Sequence, residues 1–246
     1  MTVAESEIGF ETLARIDASL VRYNNWLFEQ LEPALSGHVL EIGSGIGTFS
    51  ARLVTRESLV LTDISELYLD RLRAMFADMP SVRVMRWDLN DPAPDEIERG
   101  TIGGILCSNV LEHIRDDAGA LGEMYKLLTP GGRLALLVPA HAALHNSFDV
   151  GLEHFRRYSR RPLATLLAAA GFDVEDCWHF NALGVVGWYV NGTLLRRKVL
   201  PTGQMRIFDA LVPMLRMERA FKLPFGVSLV AIARKPMEPR ERRGSV

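Results

Sequence analysis

His38-Val39-Leu40-Glu41-Ile42 is a short apolar run that opens into Gly43-Ser44-Gly45-Ile46-Gly47, and the residues after it, 48–54, carry a helical pattern. A strand, a glycine turn and a helix in that order let the backbone pass close to a ligand. The helix N-terminus adds unpaired N–H groups and positive potential. In open α/β sheets ligands bind at the carboxyl ends of the strands, where this turn lies. The dinucleotide fingerprint GxGxxG would put glycines at 43, 45 and 48. Position 48 is Thr and the third glycine is Gly47, so the spacing argues against NAD and for another adenosine ligand.

Downstream the same unit recurs. Leu59 to Leu61 ends at Asp63, and Ser65 is placed to cap a helix carrying Leu67, Leu69, Leu72 and Phe76. Residues 82–87 and 103–108 read as the next strands, with a turn at 90–94 between them. A helix over 116–128 is stopped by Thr129-Pro130-Gly131-Gly132, and the unbroken apolar run Leu134 to Val138 reads as a strand buried on both faces. After a loop over 139–158 come a helix at 160–170 and strands at 172–180 and 227–233. Strands alternating with helices imply a mainly parallel sheet covered on both sides. Upstream, Leu13, Ile16, Leu20, Tyr23, Leu27 and Leu31 give one amphipathic helix over 11–31. The expected organisation is a single domain over 1–235: a helical lid at 1–34, a cofactor-binding core at 35–180 and a helical insertion at 181–226. A disordered tail follows at 236–246.

Composition narrows the classes. Of 246 residues 48% are hydrophobic and 24% charged, the proportions of a globular protein rather than a disulfide scaffold or a disordered chain. Lys plus Arg is 28 and Asp plus Glu is 30, so no global basic field exists to hold nucleic acid. Cys107 and Cys177 stand apart in no CxxC pattern, and no paired acidic or histidine spacing demands a metal. The N-terminus has no basic segment followed by an apolar core, and no apolar run approaches a membrane span, which points to a cytoplasmic protein.

Two acidic residues refine the ligand. Asp63 lies about 20 residues beyond Gly43, the place from which a carboxylate accepts bonds from ribose hydroxyls. Asp88 follows the third strand beside Leu89, where it could take an adenine amino group. At this point the sequence resembles the class I S-adenosylmethionine-dependent methyltransferases. Glu41 to Gly47 resembles their first motif, Leu61-Thr62-Asp63-Ile64 the second and Trp87-Asp88-Leu89 the third. Cys107 to Ile114 resembles the segment after strand four, and Leu128 to Leu134 the entry to strand five. The resemblance covers about residues 35–180 and the final strand. It implies a Rossmann-like fold whose seven-stranded, mostly parallel sheet has an antiparallel last strand beside the sixth. It further implies S-adenosylmethionine as cofactor, held by Glu41, Gly43, Ser44, Gly45, Gly47, Asp63, Ile64, Asp88, Leu89 and Asn109.

Methyl transfer to an alcohol, phenol or ammonium requires loss of a proton, and histidine is the side chain matched to that near neutral pH. His113 follows strand four, while His141, His145 and His154 lie on the loop after strand five, so His154, His113 and His145, with Tyr158, are the catalytic candidates. Glu112 and His113 could equally shape their loop. Arg156 and Arg157 are expected either to clamp a carboxylate or phosphate on the acceptor or to be a solvated lead-in to the next helix; His141 and Trp188 complete the substrate set. Tyr23, Asn24, Asn25 and Trp26 could close over the cofactor as a lid, the alternative being that the aromatic pair simply packs. The insertion, with Trp188, Tyr189, Ile207, Leu211 and Leu215, reads as a substrate cap or a homodimer surface. Arg196, Arg197 and Lys198 also permit contact with an anionic membrane surface. The expected activity is methylation of an oxygen or nitrogen of a small molecule, with an acidic group as one option. Alternatives are a non-catalytic cofactor-binding or partner-binding module, a protein or RNA methyltransferase and a nicotinamide oxidoreductase.

Overall fold

The computed structural model describes residues 11–237 apart from residues 12, 198 and 222. Its seven strands are β1 (His38–Ile42), β2 (Ser58–Asp63), β3 (Val82–Arg86), β4 (Ile102–Ser108), β5 (Leu128–Pro139), β6 (Asp173–Phe180) and β7 (Ser228–Arg234). They form one sheet in the order β3-β2-β1-β4-β5-β7-β6. The first five strands run parallel, and β7 enters antiparallel between β5 and β6. This is the mostly parallel, seven-stranded sheet expected from the sequence. The order reverses direction at β1 and β4, so their carboxyl ends flank the crevice in which such sheets take ligands.

Residues 13–19 are helical, and after them come α1 (Val21–Leu31), α2 (Ser50–Leu53), α3 (Glu66–Met75), α4 (Asp117–Leu127), α5 (Ser147–Gly151), α6 (Arg160–Ala169), α7 (Ala182–Trp188), α8 (Thr202–Leu215) and α9 (Glu218–Phe221). Alternation along the strands divides the core into two layers. In β5, Leu134, Leu136 and Val138 join Leu40, Leu121, Leu163 and Phe172 on one face. Ala135 and Leu137 join Trp26, Leu31, Leu53, Leu61, Leu72 and Phe180 on the other.

Several local expectations change. The helix ends at Leu127, close to the expected stop, but Thr129 to Gly132 already belong to β5, which begins at Leu128 and passes through Gly131 at φ +81°. The single helix over 11–31 breaks at Leu20, whose φ and ψ of −125° and 40° are not helical. Of the residues placed for a lid or for packing, the two aromatics pack. Trp26 is 3% exposed, and its ring lies 4.3 Å from that of Phe180, while the Tyr23 ring contacts Phe180 and Phe208. Asn24 binds Asp17, and Asn25 binds Arg52.

The insertion begins and ends on one rung of the sheet. Phe180 pairs with Ser228, and the Val227 amide donates to the Asn181 carbonyl at 3.0 Å. Between these ends α7 continues as a π-helical turn, Tyr189–Leu194, and α8 packs on α1, where the Tyr23 amide donates to Asp209 Oδ1 at 2.8 Å. Ile207 and Leu211 of the expected apolar face are exposed, whereas Leu215 packs on the core. Among the described residues no helix is long and apolar enough to cross a membrane. The expectation for the tail concerns residues of which 238–246 lie outside those described, as does Lys198.

Candidate active site at the carboxyl edge of the sheet

The glycine turn leaves β1 through three left-handed residues, Gly43, Gly45 and Gly47, at φ +71°, +53° and +88°. A side chain at Gly43 would be strained by that φ and would put a Cβ 2.3 Å from Val110 Cγ2. That close approach sets the turn directly against the loop after β4. At Gly45 a Cβ would meet nothing within 4 Å, so the turn's tip faces open space. The amides of Gly43 and Ser44 both donate to the Thr62 carbonyl at 2.9 Å, which ties the turn to the end of β2.

Asp63, 8% exposed, is the hub of this half of the site. Its Oδ2 accepts from the Gly45 amide at 2.8 Å and its Oδ1 from the Ser65 amide at 2.9 Å. Burial raises its pKa, and the amides of Ser65, Gly45 and Ile64 oppose that rise. A carboxylate has about four acceptor sites, so this one retains capacity to accept from a ligand hydroxyl. Glu41 lies beneath the turn, 3% exposed, taking a 2.5 Å bond from Ser50 Oγ; burial pushes it up to about 8 against the pull of Ser50 and Ser44. It supports the turn from the core side. At the end of β3, Asp88 Oδ1 caps its own loop by accepting from the Asn90 amide and side chain, while Oδ2 takes no hydrogen bond among the described residues. Leu89 is buried at 6%, while Ile64 is 55% exposed. Asn109 is exposed in a left-handed conformation at φ +52°, with its amide bound to the Leu137 carbonyl.

Beyond Asn109 the loops after β4 and β5 converge. Glu112 is fully buried, and burial pushes it up to about 8. The His113 ring stands edge-on to that of His154 with centroids 4.8 Å apart; burial, then His154, bring His113 down to about 4. His154 Nδ1 lies 2.9 Å from Asp149 Oδ1, and its Nε2 is 3.8 Å from Glu112 Oε1. His145 is exposed, with Nε2 3.3 Å from the His154 carbonyl.

Three of the expected substrate or catalytic groups belong instead to the scaffold. Arg157 has a side chain 1% exposed, bound to Asp149 Oδ1 at 2.7 Å and the Ala140 carbonyl at 2.9 Å, with the Trp188 ring 4.6 Å from its guanidinium. Arg156 is held by Asp117 at 2.7 Å and the Arg115 carbonyl at 2.8 Å. The Tyr158 hydroxyl lies 3.0 Å from Asp117 Oδ2 and 3.2 Å from the Leu111 carbonyl, and burial followed by Asp117 raises its pKa far above the ordinary phenol value. Arg157 is thus committed to a buried ion pair, Arg156 is paired while its side chain stays 34% exposed, and the Tyr158 hydroxyl is engaged within the chain. His141 stacks on His179 at 4.7 Å, and Trp188 packs on Phe148.

Asp149 is the residue that sequence reasoning missed. It is 0% exposed; burial opposes its charge, but His154 and Arg157 outweigh it and hold the carboxyl down at about 2. A signal existed. Asn146 and Asp149 form the reciprocal cap of α5, and an Asn followed three residues later by an acidic side chain is a helix-start pattern.

A profile for a methyltransferase domain matches residues 40–134, the span from the glycine turn to β5. An uncharacterized methyltransferase of Mycobacterium tuberculosis is 31% identical over 121 residues, covering 49% of this chain and 59% of that protein. A protein of Mycolicibacterium smegmatis named "Probable S-adenosylmethionine-dependent methyltransferase" is 28% identical over 161 residues, covering 63% and 60%. Over this span the chain is similar to S-adenosylmethionine-dependent methyltransferases. It spans half to three fifths of the length of the curated relatives it matches. An S-adenosylmethionine-dependent methyltransferase structure from Mesorhizobium loti has the same fold, with a TM-score of 0.58 at 18% identity, covering 82% of this chain and 93% of that one.

Proposed function

We propose that this protein binds S-adenosylmethionine across the carboxyl ends of β1 to β4 and transfers its methyl group to an oxygen or nitrogen of a small molecule. The observation that carries the reading is the Gly45–Asp63 contact beside the Gly43–Val110 approach. Together they make one continuous track from a diol-accepting carboxylate, over an open glycine tip, to Asn109. In this reading Asp63 takes the ribose hydroxyls, Asp88 Oδ2 and the Leu89 region take the adenine, and Gly43, Ser44, Gly45, Gly47 and Asn109 border the methionine part. Glu41 and Ile64 stay as support and flank. The cofactor supplies an electrophilic methyl carbon on sulfur, so the protein's main task is to place the acceptor in line with it.

The acceptor would lie against the rim formed by His113, His145 and His154. A proton lost from a hydroxyl or ammonium would leave towards the Glu112–His113–His154 cluster, whose imidazoles are fixed by Asp149 and by the backbone at Glu153. Because Arg156 and Arg157 are satisfied within the chain, the rim offers no arginine clamp for an acidic acceptor. Trp188 and α7 lie over Phe148 and Arg157, which supports a cap role for the insertion.

Titration calorimetry with S-adenosylhomocysteine tests the reading. The wild-type chain is expected to bind it, and Asp63→Ala to weaken binding by at least about tenfold through loss of two charge-assisted ribose bonds. Unchanged affinity in Asp63→Ala would remove the ribose assignment. Absence of binding to the wild type would remove the function, and binding without turnover on any acceptor would leave a non-catalytic module.

A further inference from the structure

The loops after β4 and β5 hold a donor set that methyl transfer alone does not require. Glu112 is 0% exposed, and apart from its own amide alongside, neither carboxylate oxygen has a hydrogen-bond partner among the described residues. A buried carboxylate in that condition is costly unless a cation or a proton accompanies it. One donor atom each from Glu112, His113 and His154 lie within 4.8 Å of one another. Both imidazoles already have their other side engaged: His154 Nδ1 by Asp149 Oδ1 at 2.9 Å, and the His113 ring by the backbone of Glu153. Metal-binding histidines are held in this way, one nitrogen donating to a carboxylate or carbonyl so that the other presents its lone pair. Arg157 Nε is committed to Asp149 Oδ1 at 2.7 Å, so Glu112 feels Arg157 only through space and pairs with no Lys or Arg among the described residues.

We propose that Glu112, His113 and His154 bind one divalent transition-metal ion of the zinc type, with Asp149 and the Glu153 backbone orienting the two imidazoles. Two imidazoles and one carboxylate are the donors of borderline ions such as Zn²⁺ and Co²⁺; Mg²⁺ and Ca²⁺ take oxygen shells. With bonds of about 2.0–2.2 Å, tetrahedral donors stand roughly 3.4 Å apart. The side chains therefore close on the ion by about 1 Å from separations of up to 4.8 Å. Three protein ligands leave a fourth position open. An acceptor hydroxyl bound there would lose its proton to solvent or base as the ion takes the alkoxide oxygen. That last step rests on the methyl-transfer reading; the ion site itself does not.

The test is calorimetric titration of Zn²⁺ into the chelator-treated full chain, with Co²⁺ absorption as a second readout of an imidazole and carboxylate site of low coordination number. The wild type is expected to take one ion per chain. Glu112→Gln and His154→Ala are expected to weaken binding by about 100-fold or more and to lose the Co²⁺ bands, and Asp149→Asn to weaken it by about 10–100-fold. His38→Ala and His179→Ala should leave it unchanged. Circular dichroism checks folding; should His154→Ala fail to fold, the near-isosteric Glu112→Gln and the Co²⁺ spectrum decide. No bound ion, or equal affinity in folded Glu112→Gln, overturns the site. S-adenosylhomocysteine titrated into the same samples separates the two claims. Its binding without Zn²⁺ binding sinks the ion site alone, and Zn²⁺ binding without it sinks the methyl-transfer reading alone.

Discussion

Along β1, β2 and β3 the carboxyl edge is built from backbone and from residues within a few positions of a strand end, whereas along β4 and β5 it is built from side chains that arrive from distant segments. The first half needs three left-handed glycines and one carboxylate that accepts two amides. The second needs Glu112, His113, Asp149, His154 and Arg157 to meet in one buried network, with α7 packed over it. The difference teaches that one half is specified by local conformation and the other by burial of compensating charges. The two halves should therefore fail differently when perturbed.

The largest expected effect lies in the charge network. Arg157→Ala leaves Asp149 buried without its partner and should cost about 3–5 kcal/mol in denaturant unfolding; a loss below about 1 kcal/mol would show that the network is not what holds this half together. Next comes the backbone half. Gly43→Ala combines a strained φ with the clash on Val110 and should cost about 1–3 kcal/mol, part of it recovered by adding Val110→Ala. Strict additivity of the two changes would break the claim that the turn rests on the β4 loop.

A third effect concerns Glu41. Its folded pKa of about 8 lies above the ordinary 4.5, so the folded chain holds the proton more tightly. The stability tied to that proton is complete below about pH 4.5 and is lost as pH rises through 8. Melting temperatures should fall across this window, and Glu41→Gln should flatten part of the fall; an identical pH profile in that variant would show that Glu41 does not carry it.

The legible part of the molecule follows the same division. The order of elements, the turn at 43–47 and the positions of Asp63 and Asp88 could be read because each is fixed by neighbours in sequence. The roles of Arg156, Arg157 and Tyr158 could not. A run of charged and aromatic residues before a helix looks alike whether it faces a ligand or a buried carboxylate, and the carboxylates concerned, Asp117 and Asp149, lie on other elements. The early start of β5 escaped for a related reason: pairing of Leu128 with Ile102 on β4 carries the strand through the residues that follow the helix. The meeting of His113 with His154 is set by the loop after β5 folding back, and no spacing announces it.

Hydrogen exchange with and without S-adenosylhomocysteine tests the account most directly. Added protection is expected at the amides of residues 43–47, 63–65, 88–90 and 109–110, with little change at the far, amino ends of the strands. No added protection, or protection confined to residues outside this track, would contradict a cofactor bound along the carboxyl edge.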